Sequence, residues 1–260
     1  MNKFDTGLYG AAIGDICGSI YEFSDFKADK PETIELINER CFFTDDTVIT
    51  AAIAKAVRTD RNYTAAVYEW ANRYPDAGYA SMFYEWFHSE NPQPYNSWGN
   101  GSAMRVSPVA WAFDTEEEVL EEAKRSAEIT HNHPEGIKGA QSVALAIFIC
   151  RNGIEKQALK ERIETDFCYD LTRTLADIRP GYKFDVSCQG SVPEAIIAFL
   201  ESQDFVSAIQ NAISIGGDTD TIACITGSIA EAYYKDVPEN LKAFARSKLP
   251  EDIKEALGIV

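Results

Sequence analysis

The chain has 260 residues, of which 45% are apolar and 25% charged, and its formal net charge is −17. This length suits one large globular domain, so a single domain over residues 1–260 is expected. The excess of acidic groups argues against a nucleic-acid surface, which needs clustered lysine and arginine to neutralise phosphates.

Export and membrane insertion are not expected. The first residues lack a basic stretch followed by an apolar one, and the sequence has no run of about eighteen apolar residues. The 6 cysteines lie far apart without Cys-x-x-Cys spacing, which predicts buried, reduced thiols rather than zinc or redox chemistry. We therefore expect a soluble, cytoplasmic protein.

Apolar residues recur mostly at three- and four-residue spacing, which is typical of helices, whereas the two-residue alternation of strands is scarce. Breaks that contain proline or glycine separate one helical stretch from the next. The sequence therefore predicts an all-α fold, a single compact multi-helix globule of about ten or more helices. Predicted helices include residues 46–58, 116–129, 136–150 and 193–202.

Glycines recur at three- and four-residue steps near the start of the chain, at Gly7, Gly10, Gly14 and Gly18. Each interior glycine destabilises a helix by about 1 kcal/mol relative to alanine. Such glycines indicate a backbone that is approached closely, either by another helix or by a ligand.

Glu22 follows this glycine-rich helix and stands between two aromatic residues. Apolar surroundings would raise the pKa of its carboxyl group towards that of a usable acid or base. A buried ion pair is the alternative interpretation.

Two acidic motifs stand out, Thr-Asp-Asp-Thr at residues 44–47 and Gly-Gly-Asp-Thr-Asp-Thr at residues 216–221. Each precedes a predicted helix, so Thr44 or Asp45 and Asp218 can act as helix caps. One cap needs only one such side chain, however. Paired aspartates with flanking threonines form an oxygen-only ligand set that suits Mg²⁺ or Mn²⁺ rather than Zn²⁺. Two cations about 3.5–4 Å apart would relieve repulsion among the carboxylates and could position an attacking water.

Residues 95–105 are predicted to form a glycine-rich loop that runs into a helix. Its backbone amides could cradle an anion, although an ordinary tight turn is the alternative, and Arg105 could pair with a core carboxylate. Farther along, His131 and His133 could share a metal, but a helix cap followed by a turn is the commoner outcome. His88, in an aromatic stretch, is interpreted as structural.

Five motifs in order make the chain similar to the ADP-ribosylglycohydrolase family, which includes the dinitrogenase reductase-activating glycohydrolase. The resemblance covers about residues 7–234. The motifs are Gly-Asp-x-x-Gly-Ser-x-Tyr-Glu (14–22), Thr-Asp-Asp-Thr (44–47), Gly-Asn-Gly-Ser-Ala-Met-Arg (99–105), Thr-His-x-His-Pro-Glu-Gly (130–136) and Gly-Gly-Asp-Thr-Asp-Thr (216–221).

The resemblance implies an all-helical fold with two Mg²⁺ or Mn²⁺ ions in a central cleft. It also implies a pyrophosphate site at Gly99, Asn100, Gly101 and Ser102, with His131 lining the ADP-ribose cleft. Glu22 matches an acidic residue that gates the metals or acts on the bond, and Asp45 or Glu22 would serve as the base. The implied metal ligands are Thr44, Asp45, Asp46, Asp218, Asp220 and Thr221.

The implied activity is metal-dependent hydrolysis of the glycosidic bond between ADP-ribose and an acceptor, with release of ADP-ribose. The expected substrate is an ADP-ribosylated protein side chain such as arginine. Another acceptor (a small molecule or nucleic acid), cleavage of the pyrophosphate, and a non-catalytic ADP-ribose-binding protein are the alternatives. All the metal-site aspartates are present, which argues against the last of these. Residues 187–190 depart from the family pattern because they lack the aromatic residue expected to pack on the ligand.

Overall fold

The computed structural model describes residues 8–259, and within that range the chain is built of helices. These residues form fifteen α-helices and one short 3₁₀ helix, and they include no strand, which confirms the predicted all-α fold. The helices are α1 (Tyr9–Gly18), the 3₁₀ helix (Pro31–Thr33), α2 (Asp45–Arg58), α3 (Tyr63–Arg73), α4 (Ser81–Phe87), α5 (Gly101–Met104), α6 (Ser107–Ala112), α7 (Glu116–Glu128), α8 (Pro134–Arg151), α9 (Lys156–Phe167), α10 (Leu175–Ile178), α11 (Cys188–Leu200), α12 (Phe205–Ile215), α13 (Thr219–Tyr234), α14 (Glu239–Lys248) and α15 (Glu251–Leu257).

Three of the four helices whose bounds were predicted agree with α2, α7 and α8 to within two residues at each end. The fourth was expected to begin at residue 193, but α11 begins at Cys188 and contains Pro193. The Ser187 side chain accepts a hydrogen bond from the Gly190 amide at 3.0 Å and caps the helix there. Proline is common in the first turn of a helix, so a start at Pro193 fits the sequence, but the helix begins earlier, at Cys188.

Helix α13 occupies the centre of the molecule, since nearly all of its residues are buried, and α1 packs along it. A β-carbon at Gly14 would lie 2.0 Å from the Ala223 carbonyl oxygen, and one at Gly10 would lie 2.2 Å from the Gly227 carbonyl oxygen. The glycines of α1 therefore permit the close approach of another helix, α13, and not of a ligand. Gly7, which was part of the predicted stripe, lies outside the described residues.

The two helices run antiparallel. Gly10 packs against Gly227, whereas Gly18 packs against Thr219 and Asp220 at the other end of α13. The end of α1 thus lies beside the beginning of α13, so that the turn after α1 is close to the second acidic motif.

Glu231 closes the opposite end of this helix pair. Its carboxylate accepts hydrogen bonds from the backbone amides of Tyr9 at 3.0 Å and Gly10 at 2.9 Å. These amides belong to the first turn of α1, where helix amides lack partners within the helix. Glu231 therefore caps α1 from a neighbouring helix, a contact that no local sequence pattern indicates.

All 6 cysteines are unpaired, and five are buried as predicted. Cys168 is the exception, because it is exposed at the end of α9 in a left-handed conformation with φ of 56°. Within residues 8–259, no helix is long and apolar enough to cross a membrane.

Candidate active site

The first turn of α2 is fixed to α1 by Asp15, which is completely buried. The Asp15 carboxylate accepts hydrogen bonds from the Thr44 amide at 2.9 Å, the Thr44 hydroxyl at 2.8 Å and the Thr47 amide at 3.1 Å, as well as from the Thr47 hydroxyl. Sequence reasoning assigned no site role to Asp15. The available signal was its place in the Gly-Asp pair that opens the first family motif.

The two acidic motifs, recognised separately in the sequence, are in direct contact. Asp46, which is 2% exposed, accepts a hydrogen bond at its Oδ2 from the Thr221 hydroxyl at 3.1 Å. Its Oδ1 is buried and has no hydrogen-bond partner in the described part of the chain. Thr44 caps α2 by accepting from the Asp46 amide at 3.3 Å, as predicted.

Asp218 occupies the N-cap position of α13, but its side chain makes no capping hydrogen bond. Instead, its Oδ2 accepts from the Asn100 side-chain amide at 2.6 Å. One carboxylate oxygen from each of Glu22, Asp218 and Asp220 lies within 4.8 Å of the other two, which is an arrangement that could hold a metal ion. Glu22, predicted as a catalytic residue, thus belongs to the same cluster as two predicted metal ligands.

The carboxyl groups of the site all bind protons more tightly than usual. Burial raises the pKa of Asp45 and of Asp218 to about 7, and raises that of Glu22 to about 9 with a further contribution from Asp220. Burial and then mutual repulsion raise the pKa of Asp46 and Asp220 well above the usual range. Such a group of acids is stabilised by a bound cation or by protons.

Asn100 contributes to the site through its side chain. The side-chain amide donates to Ser191 Oγ at 2.9 Å and to Asp218, while its backbone amide donates to the Val186 carbonyl at 2.7 Å. The loop is also joined to residue 187 by an isolated bridge from Gly99. Asn100 therefore orients an acidic residue of the site, a role that the sequence did not indicate.

Two other members of the predicted pyrophosphate site, Gly99 and Gly101, lie against His131. A β-carbon at Gly101 would lie 3.2 Å from Nε2 of His131, and one at Gly99 would lie 3.5 Å from the same atom. The Ser102 hydroxyl is buried and donates to the Gly136 carbonyl at 2.7 Å. The backbone amides of Gly101 and Ser102, at the start of α5, make no hydrogen bond to the described residues.

The histidines have different structural roles. His133 caps α8 by accepting the Glu135 amide at 3.1 Å through Nδ1, so the cap interpretation holds and a shared histidine metal site has no support here. His131 is 5% exposed beneath the glycine-rich loop. His88 is exposed and stacks on Tyr84 with ring centroids 4.2 Å apart.

The expectation that Arg105 pairs with a carboxylate is wrong. Its buried guanidinium donates from Nη2 to the Ser126 carbonyl at 2.8 Å and to the Thr130 hydroxyl at 2.9 Å. Ser126 belongs to the last turn of α7, where backbone carbonyls lack partners within the helix. The Ser126 carbonyl therefore accepts from Arg105 in place of a carboxylate.

An aromatic side chain reaches the site from a loop that the sequence left unassigned. The ring of Tyr182 packs on Gly217, where a β-carbon would lie 2.6 Å from its Cε1, and its hydroxyl donates to the Gly190 carbonyl at 2.8 Å. Near Glu22, the exposed ring of Phe23 stacks on Phe184 with centroids 5.3 Å apart. Aromatic residues are thus supplied by the segment before residues 187–190.

The chain as a whole is similar to known proteins. The family model of the ADP-ribosylglycohydrolases matches residues 1–257. ADP-ribosylhydrolase ARH3 of Mus musculus is 27% identical over 92% of this chain and 86% of its own length, and that of Homo sapiens is 28% identical over 92% and 88%. A solved structure named ADP-ribosylglycohydrolase-related protein complex superposes with a TM-score of 0.76 at 25% identity, covering 99% of this chain and 97% of that chain.

Proposed function

This chain belongs to the ADP-ribosylglycohydrolase family, and from that premise we propose that it hydrolyses the glycosidic bond between ADP-ribose and an acceptor with the help of two Mg²⁺ or Mn²⁺ ions. The observation that carries the proposal is the contact between the motifs at residues 44–47 and 216–221. They lie far apart in the sequence, yet they meet at the ends of α1, α2 and α13.

The residues of the site fit divalent cations. The buried Oδ1 of Asp46 has no hydrogen-bond partner among residues 8–259, and unpaired buried oxygens of this kind are uncommon in folded proteins. The donors are all oxygens, which suits Mg²⁺ or Mn²⁺. When bound, the cations would supply stabilisation of negative charge and acidification of water. The residues proposed to hold them are Thr44, Asp45, Asp46, Asp218, Asp220 and Thr221.

Two carboxyl groups are available for proton transfer. Glu22 and Asp45 are partly exposed, whereas Asp46, Asp218 and Asp220 are buried. A substrate or a water molecule can therefore reach Glu22 and Asp45 most easily. We assign the role of general base to one of these two residues, which would take a proton from the water that attacks the anomeric carbon.

The loop at residues 99–102 is proposed to hold the pyrophosphate of ADP-ribose, with His131 beside it. The unengaged amides of Gly101 and Ser102 support this assignment, since they can donate to phosphate oxygens. For the acceptor we propose a protein side chain, with arginine tested first. The net charge of −17 favours a cationic guanidinium leaving group.

The test is incubation of the purified protein with arginine- or serine-ADP-ribosylated protein in the presence of Mg²⁺, Mn²⁺ or EDTA, with products identified by mass spectrometry. We expect metal-dependent release of ADP-ribose, lost in Asp46→Asn and retained in the exposed control Asp236→Asn. Formation of AMP would instead indicate cleavage of the pyrophosphate. Tight binding of ADP-ribose without any release would indicate a non-catalytic binding protein.

A further inference from the structure

His131 is held by two buried polar side chains that have no part in the proposed reaction. Arg105 is 1% exposed, and its Nη2 donates to Thr130 Oγ1 at 2.9 Å. Thr130 is completely buried, and its Oγ1 lies 2.7 Å from Nδ1 of His131. The three side chains therefore form a continuous hydrogen-bonded chain that ends at the imidazole ring.

Arg105 determines the direction of the hydrogen bonds that join these three side chains. A guanidinium has only donors, so the Thr130 oxygen must accept from it. The positive charge polarises the Thr130 hydroxyl, which becomes a better donor and a poorer acceptor. Apart from Arg105 and His131, the Thr130 hydroxyl has no hydrogen-bond partner in the described part of the chain. Its single proton is therefore directed to Nδ1 of His131.

An imidazole that accepts at Nδ1 and is neutral carries its proton on Nε2. The ring stays neutral because burial, and then the Arg105 guanidinium, lower the pKa of His131 well below its usual range. Nε2 faces the glycine-rich loop, 3.2 Å and 3.5 Å from the positions that β-carbons would take at Gly101 and Gly99. It makes no hydrogen bond to the residues that the structure describes.

We propose that Arg105 and Thr130 are positioning residues that fix His131 as the neutral Nε2–H tautomer, so that Nε2 donates a hydrogen bond to an oxygen of the ligand bound at residues 99–102. The ligand class is a pyrophosphate-containing nucleotide, and this part of the inference rests on the proposed function. The opposite tautomer would present a lone pair to an anionic oxygen and repel it.

The tautomer can be measured without any ligand. The protein has 3 histidines, so ¹⁵N labelling of histidine gives a simple spectrum in which His131 is assigned with a His131→Gln variant. At neutral pH, two-bond ¹⁵N–¹H correlations should show protonated Nε2 and unprotonated Nδ1. Thr130→Val, which lacks the hydroxyl, should give a mixture of tautomers, and Thr130→Ser should restore the wild-type pattern. Protonated Nδ1 in the wild type, or an unchanged pattern in Thr130→Val, would overturn the inference.

Calorimetric titration with ADP-ribose tests the consequence for binding. Loss of the ordered donor should weaken binding by about three- to tenfold in Thr130→Val, with near wild-type affinity in Thr130→Ser. Equal affinity in Thr130→Val and the wild type would refute the positioning role. If the wild type has the expected tautomer but binds no ADP-ribose, the proposed function fails and the tautomer assignment stands. If Thr130→Val does not fold, the wild-type spectrum still tests the tautomer, and protonated Nδ1 there would overturn the inference.

Discussion

A buried carboxylate oxygen without a hydrogen-bond partner, such as Oδ1 of Asp46, destabilises a fold unless a cation or a proton binds it. Asp46→Asn substitutes an uncharged amide of the same shape. In EDTA we expect the melting temperature of Asp46→Asn to equal or exceed that of the wild type. Each kcal/mol gained in the free energy of unfolding should raise it by roughly 2–4 °C. Mg²⁺ should raise the melting temperature of the wild type but not that of the variant, as measured by scanning fluorimetry.

Asp236→Asn is the matched control for this measurement because Asp236 is exposed. It should keep the full Mg²⁺-induced rise. An equal rise in Asp46→Asn would show that Asp46 does not hold a cation.

A variant of Asn100 distinguishes two roles of this residue, orientation of Asp218 and direct contact with the pyrophosphate. Its side-chain amide orients Asp218, so Asn100→Ala should lower the affinity for Mg²⁺ by about 10- to 100-fold, as is typical when a partner of a metal ligand is lost. Titration calorimetry with Mg²⁺ and, separately, with ADP-ribose measures both effects. A loss confined to ADP-ribose would favour direct contact between Asn100 and the pyrophosphate.

At the level of helices, the contact between α1 and α13 predicts that alanine is not tolerated at Gly14. The added methyl group would lie 2.0 Å from the Ala223 carbonyl oxygen, which belongs to rigid helix backbone. We expect Gly14→Ala to lower the free energy of unfolding by about 3 kcal/mol or more, at or beyond the usual range for overpacking. Chemical denaturation measures this change.

Gly181→Ala is the control, since a β-carbon there meets nothing within 4 Å. It should change the free energy of unfolding by less than about 0.5 kcal/mol. Similar losses in the two variants would mean that the helices can separate to accommodate the methyl group.

The cap of α1 by Glu231 makes stability depend on pH. Burial raises the pKa of Glu231 from 4.5 to about 7, in spite of the two amide hydrogen bonds that lower it. The folded state therefore holds a proton that the unfolded state releases, and this residue lowers the free energy of unfolding as the pH rises from 4.5 to about 7. Above about pH 7, Glu231 is ionised in both the folded and the unfolded state, and its contribution to the free energy of unfolding no longer changes with pH.

Denaturation of the wild type and of Glu231→Gln across this pH range measures the effect. The glutamine keeps an oxygen acceptor but cannot ionise. The free energy of unfolding of the wild type relative to the variant should fall as the pH rises through the window. A constant difference would contradict a raised pKa.

Periodicity predicted the all-α fold and four of its helices, and the sequence showed both acidic motifs, because these features depend on residues that are close in the sequence. Contacts between distant segments were not predictable. Asp15 and Thr44 are 29 residues apart, and Arg105 and Thr130 are 25 apart, so no local pattern shows which helix faces meet. For the same reason Tyr182 was missed, although the lack of an aromatic residue at 187–190 was noticed.

For the whole molecule, the net charge of −17 should attract cationic substrates at a distance. We propose that residues 1–260 act as one domain, so that the negative electrostatic field of the whole chain surrounds the site. The KM for arginine-ADP-ribosylated peptides rich in lysine should rise with added NaCl, because the Debye length is only about 10 Å at 0.1 M salt. Acidic peptides of equal length are the comparison, and an equal rise in KM for both would exclude steering by charge.

The antiparallel pairing of α1 and α13 also determines when the site can form during synthesis. Asp46 and Thr221 are 175 residues apart, so the acidic residues after α1 emerge from the ribosome long before the partners that complete the proposed metal site. At a translation rate of about 5–20 residues per second, that interval lasts on the order of 10 seconds or more. Until α13 emerges, the early segments have only part of the proposed ligand set, so we expect the capture of metal to be a late event in the maturation of the chain.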